Sequence, residues 1–171
     1  MLTRTHRAAL EIRDADHGRT ITGLAVPYGI PTPIGPYVET MARGVFTDAT
    51  ATPEAVKVMA AHAHESLPIG RALTLTDTDE GLLAELLVSD TTAGRDVLTL
   101  VRDGVATGLS VGFVPMVDHW TPDRSAVTRI RASLVEVSIV AFPAYDDARI
   151  AAVRTLAQIP LFRLARLRTS R

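Results

Sequence analysis

The stretch Thr107-Gly108-Leu109-Ser110-Val111-Gly112-Phe113-Val114-Pro115-Met116-Val117 decides how this chain is read. Gly108-x-Ser110-x-Gly112 fits the nucleophile elbow of α/β-hydrolases, where the serine sits on a sharp turn between a strand and a helix. Here Val111, Phe113, Val114 and Val117 carry on past the serine as a strand. The elbow also needs a late histidine after an intervening acid, and the only later one, His119, follows nine residues on. The elbow is rejected and the serine kept. Glycines on both sides remove side chains that would crowd an incoming group, and they let backbone N–H groups approach an oxyanion. The plainer reading is a sheet bend with Ser110 as a small strand residue, and on this motif alone it stands ahead.

Outward from that strand the pattern stays β-rich. Upstream, Ala8 to Ile12 and Thr20 to Val26 read as strands, and the proline- and glycine-rich Gly29 to Pro36 as a loop or sheet-edge excursion. Glu39 to Phe46 reads as a turn into a short helical segment, and Ala55 to His62 as a strand from the spacing of Val56, Val58 and Ala60. Ala72 to Thr76 and Leu82 to Val88 flank Asp77-Thr78-Asp79-Glu80-Gly81, a hairpin with an acidic tip. Ser89 to Thr92 offers N-caps for a helix over Ala93 to Arg102, closed by Gly104. Downstream come strands at Val127 to Arg131 and Leu134 to Val140, then a helix over Asp147 to Gln158. Too few helices separate the strands for a parallel α/β fold. The fold class expected is α+β, a mainly antiparallel curled sheet or closed β-barrel with a few flanking helices.

A chain of 171 residues is the size of one domain. It has no cysteine, which removes disulfides, thiolate zinc sites and a cysteine nucleophile. The net charge of −1 nominates neither a nucleic acid nor a membrane as partner. No apolar run approaches the roughly 18–20 residues of a membrane span. Met1 to Arg13 carries charges throughout and lacks a signal peptide's apolar stretch, so a soluble protein is expected. Arg163, Arg166, Arg168 and Arg171 give the last residues +4, which leaves the rest at −5. The division expected is a domain over 1–155 and an arginine-rich tail over 156–171. The tail also carries Leu161, Leu164 and Leu167 at spacing three, which suits a solvated amphipathic helix end.

Two further places carry chemistry. His62-Ala63-His64-Glu65 holds two imidazoles at spacing two, which on a strand would share a face. Such a pair can ligate a metal, but the large barrels that use it need further histidines downstream, which this chain lacks. No metal or cofactor is expected. Glu136 lies in Leu134-Val135-Glu136-Val137-Ser138-Ile139-Val140, the most apolar strand of the chain. A carboxylate there is either on a solvated face or buried with a partner, and burial beside an imidazole suits the group that orients a catalytic histidine.

Taken in order, three runs resemble one family. His64-Glu65-x-x-Pro68-Ile69-Gly70-Arg71, Gly108-Leu109-Ser110-Val111-Gly112-Phe113, and Leu134-x-Glu136-Val137-Ser138-x-Val140-x-x-Pro143-Ala144 resemble the tailed-phage prohead proteases. These are capsid-maturation serine proteases similar in fold to herpesvirus assemblin. Gly23-x-Ala25-x-x-Tyr28 and the segment from Glu39 to Phe46 extend the likeness, which covers residues 8–150. The resemblance implies Ser110 as nucleophile, His64 as general base and Glu136 as the carboxylate that orients it. His62 is the open alternative for the base. Gly112 and Arg71 are the candidates for oxyanion or substrate contacts.

The resemblance further implies a serine endopeptidase acting through an acyl-enzyme. Its substrate would be scaffold or capsid delta-region protein inside an immature prohead in the host cytoplasm. Self-cleavage and a homodimer are further options, and no specific nucleic acid or membrane is implied. The rivals are a catalytically inactive structural relative in capsid assembly and a metal-dependent hydrolase built on His62 and His64.

Overall fold

A computed structural model describes residues 1–6, 11–13 and 19–141. Phe142 to Asp146, the expected helix over 147–158 and the arginine-bearing tail lie outside the described residues, and with them the boundary at 155.

The β-branched and aliphatic runs pair into one sheet. Its spine is the antiparallel pair β9 (Gly108–Trp120) and β10 (Ala126–Val140). β1 (Leu2–His6) covers the other edge of β9 from Leu109 to Phe113. Beyond β10 come β6 (Lys57–Ala60), β7 (Gly70–Asp77), β8 (Gly81–Val88), β3 (Thr20–Pro27) and β2 (Glu11–Arg13) in that spatial order. β5 (Tyr37–Met41) pairs with the first part of β10 and carries β4 (Thr32–Ile34) outside it. The sheet curls until β3 packs across to β1 and β9 without pairing to them. Its aliphatic core includes Ile21, Val26, Val58, Leu82, Leu86, Leu109, Val111 and Val137, with the Phe46 and Phe113 rings edge-to-face at 5.7 Å. The α+β class with a curled, mainly antiparallel sheet is what the pattern led one to expect.

The two α-helices of the described residues follow local rules. In α2 (Thr92–Arg102) the Thr91 hydroxyl accepts from the Gly94 N–H at 3.1 Å, a side-chain cap, while Leu98 and Val101 face the core. The short α1 (Thr47–Ala51) lies later than the helical segment expected within Glu39 to Phe46. Glu39 is instead in strand β5, because Val38 to Met41 pair in register with Ala126 to Arg129 and the ladder takes those backbone groups. Gly29 to Pro36, expected as a loop or sheet-edge excursion, contains β4, which pairs with β5 outside the main strand order. The two strands expected at 127–131 and 134–140 are one, interrupted by register shifts rather than by a turn. One shift inserts Val135 between the pairs Leu134↔Phe113 and Glu136↔Gly112. β5 and β6 both run parallel to β10, two exceptions to the antiparallel rule.

A buried charge cluster locks β5, β9 and β10 together. Arg129 and Glu39 have side chains 3% and 1% exposed and meet at 2.7 Å, and Asp118 holds the other side of the guanidinium. Trp120 and Tyr37 stack edge-to-face at 5.2 Å beneath it. Burial by itself pushes the Arg129 pKa down; the hydrogen bond and charge of Glu39, then Asp118, outweigh it and hold it above its usual value. Arg129→Met removes the cation beside the buried Glu39 and the part-buried Asp118, so the expected loss is about 3–5 kcal/mol, read as a lower midpoint in chemical denaturation. A loss under about 1 kcal/mol would place the cluster with surface ion pairs.

Candidate active site

The register of β9 on β10 brings the chemistry together. Ser110 lies directly opposite Ser138, and Gly112 opposite Glu136, so these four share one face of the spine. Val111 and Val137, opposite each other, point into the core. The carboxylate expected to be either solvated or buried with a partner is buried, at 0% exposure, as is Ser110.

The imidazole comes from the end of β6. That strand pairs with β10 up to Ala60↔Ile139, and then Ala61 and His62 both take positive φ, +48° and +57°. Two successive left-handed non-glycine residues cost about 1 kcal/mol or more each and fold the chain back over the sheet edge. The Ala61 N–H donates to the Ile139 carbonyl at 3.0 Å, and the His62 N–H to Ser138 Oγ at 3.1 Å. The His62 ring thus lies over β9 and β10. Its Nε2 is 2.5 Å from Ser110 Oγ, and its Nδ1 is 2.7 Å from Glu136 Oε1. Ser138 Oγ donates to the other carboxylate oxygen, Oε2, at 2.8 Å. With its side chain 20% exposed, His62 is the solvent-side member of the line.

His64, the residue implied as base, is not in that line. It is exposed on the turn after His62, its ring centroid 6.2 Å from the His62 ring. The spacing-two argument required both histidines on a strand, and the chain leaves the strand at Ala60. His62, the alternative, occupies the position between serine and carboxylate.

Gly112 has a steric task. A Cβ there would lie 3.0 Å from both Cδ and Cγ of Glu136 and closer still to Oε1. Gly112 is also paired on both edges, with Thr3 and Glu136, so the space it leaves is filled by the Glu136 side chain. Gly112→Ala therefore pushes the carboxylate out of line. Because a misplacement of about 1 Å can cost 10²-fold, any reaction that relies on the Glu136–His62 bond should slow by about 10²-fold, with only a modest drop in melting temperature. Full activity in that variant would mean the carboxylate's placement is immaterial. Gly70 of the Pro68-Ile69-Gly70-Arg71 run is a similar case, since a Cβ there would drive into the β8 backbone at Leu87 and Val88. Arg71 follows it, exposed, in the row Glu136↔Lys57↔Arg71 and thus two strands from the carboxylate on the same side of the sheet.

One ligand atom from each of His62, His64 and Glu136 lies within 4.8 Å of the others, a set that could in principle hold a metal ion. Both ring nitrogens of His62 and both oxygens of Glu136 already have hydrogen-bond partners in the serine line.

A hydroxyl, an imidazole and a carboxylate in one hydrogen-bonded line form the constellation of serine hydrolases, here on a curled sheet with no strand–turn–helix elbow. The chain belongs to the caudovirus prohead serine protease family, whose pattern it matches over residues 7–160. It is 30% identical over 124 residues to the prohead protease of Enterobacteria phage HK97, covering 70% of this chain and 55% of that protein. The chain thus spans about half the length of the curated relative it matches. The solved structure of the bacteriophage T4 capsid assembly protease has the same fold, with a TM-score of 0.53 at 10% identity over 80% of this chain and 96% of that one. No helix among the described residues is long and apolar enough to cross a membrane.

Proposed function

We propose that this chain is a serine endopeptidase in which Ser110 is the nucleophile, His62 the general base and Glu136 the carboxylate that orients it. The observation that carries this is the His62 ring, bonded through one nitrogen to Ser110 and through the other to Glu136. A serine hydroxyl is a weak nucleophile until a base takes its proton during attack. His62 Nε2 is placed to accept that proton as Oγ adds to a peptide carbonyl. Glu136 holds the proton on Nδ1, which keeps Nε2 free as acceptor, and stabilises the imidazolium that forms. The imidazolium then protonates the departing amine, leaving the acyl-enzyme on Ser110. A water deprotonated by the same Nε2 hydrolyses the ester and restores the hydroxyl. Arg71, exposed on the same side of the sheet as Glu136, is the proposed substrate contact.

Family membership supports a substrate of scaffold or capsid delta-region protein, cleaved within an immature prohead, with the chain's own tail as a further cleavage target. The curled sheet with its serine on an inner strand is what a herpesvirus-protease-like scaffold would present. An inactive structural relative is disfavoured because all three positions are filled and hydrogen-bonded. A fluorophosphonate, which phosphonylates activated serines with loss of fluoride, and a chelator separate the chemistries. The expected outcome is a labelled Ser110, loss of capsid or scaffold cleavage on labelling, and cleavage unaffected by the chelator. Cleavage that the chelator stops and the fluorophosphonate spares would replace this reading with a metal hydrolase on His62, His64 and Glu136.

A further inference from the structure

We infer that Ser138 is a positioning residue for the Ser110–His62–Glu136 line, acting on the histidine from both its ring and its backbone. The inference rests on the protease reading above and adds a fourth residue to it. Ser138 is 0% exposed, and its hydroxyl touches two members of the line at once. Its Oγ–H donates to Glu136 Oε2 at 2.8 Å, and its Oγ accepts the His62 N–H at 3.1 Å. Glu136 Oε1 meets His62 Nδ1 at 2.7 Å, which closes a ring of three bonds from the His62 backbone through Ser138 and Glu136 to the His62 side chain.

Each bond in the ring has a physical task. The donation to Oε2 fixes the rotation of the carboxylate, so that Oε1 points at Nδ1. The acceptance from the His62 N–H ties down a backbone group in a left-handed conformation, φ +57°, that β10 would otherwise hold only through the Ala61 to Ile139 bond. A hydroxyl is the smallest side chain that both donates and accepts, and it sits directly across the strand pair from Ser110. Valine at this position would suit the strand better but would satisfy neither group.

The test is a double-mutant cycle on the full chain, read as the rate of fluorophosphonate labelling and of peptide cleavage. Ser138→Ala should slow both by about 10–100-fold, the range seen when an outer partner of a functional side chain is removed. In a Glu136→Ala background the same change should cost clearly less than in the wild type, because the share of its effect that passes through Glu136 is already gone and only the bond to the His62 N–H is left to lose. The low-field proton resonance of His62 Nδ1–H should shift or vanish in Ser138→Ala while the far-ultraviolet circular dichroism is retained. Should Ser138→Ala fail to fold, Ser138→Cys keeps the volume with a poor donor and must show the same slowing. A Ser138 variant that is folded and fully active, or equal losses in the two backgrounds, overturns the inference while leaving the triad standing. A wild-type chain that does not label overturns the triad reading and this inference with it.

Discussion

Ser110→Ala produces a folded chain that no longer cleaves its protein substrate, with kcat/KM reduced by about 10⁴-fold or more. The magnitude follows from what the serine contributes. No other described hydroxyl stands at the His62 Nε2, and without a covalent step the remaining groups can only polarise a bound peptide bond. The stability effect should be small by contrast. Ser110 is a buried strand residue, and losing its hydroxyl's bond to His62 costs about 1 kcal/mol. The measurement is co-expression with the capsid or scaffold protein, followed by the ratio of processed to full-length product, with a melting curve as control. Unchanged processing at unchanged stability would end the protease reading and leave an assembly role.

The second large effect separates two histidines two positions apart. His62→Asn should reduce activity by about 10⁴-fold, whereas His64→Asn should change it by less than about threefold. Asparagine is chosen because His62 has φ +57°, where asparagine is far better tolerated than alanine. The variant then removes the base without adding backbone strain to the result. His64 is exposed and its ring lies beside the His62 ring rather than at the hydroxyl, so its removal leaves both bonds of the line intact. The reverse outcome would restore His64 as base and require the turn at Ala61 and His62 to rearrange on substrate binding. Both variants should be assayed on the same substrate at the same pH.

Much of this architecture could be read from local pattern. The hairpin of β7 and β8 follows from alternation around Asp77 to Gly81, and α2 from its Thr91 cap and the spacing of Leu98 and Val101. Those are short-range signals, carried by neighbouring residues. β5 was missed because its residues have no strong alternation, and only the parallel ladder to Ala126–Arg129 and the Glu39–Arg129 pair make it a strand. The unity of β10 was missed for a related reason: a bulge such as that at Val135 resembles a strand end until the partner strand is seen.

The site divides along the same line. By itself the sequence determined that Ser110 lies on a continuing strand rather than an elbow, and that Glu136 is a carboxylate in an apolar strand, because both facts rest on residue type and period. Tertiary structure alone decided which imidazole faces the serine. That depends on two left-handed residues after Ala60, on the bond from the His62 N–H to Ser138, and on a β9–β10 register that sets Ser138 opposite Ser110. Side-chain direction at a turn is fixed by φ and ψ, and the partners that hold those angles here lie 76 residues away along the chain. The Gly-x-Ser-x-Gly stretch therefore acquires its meaning from its neighbours across the sheet. Its second glycine leaves the space that Glu136 fills, and its serine meets His62 only because β6 ends where it does.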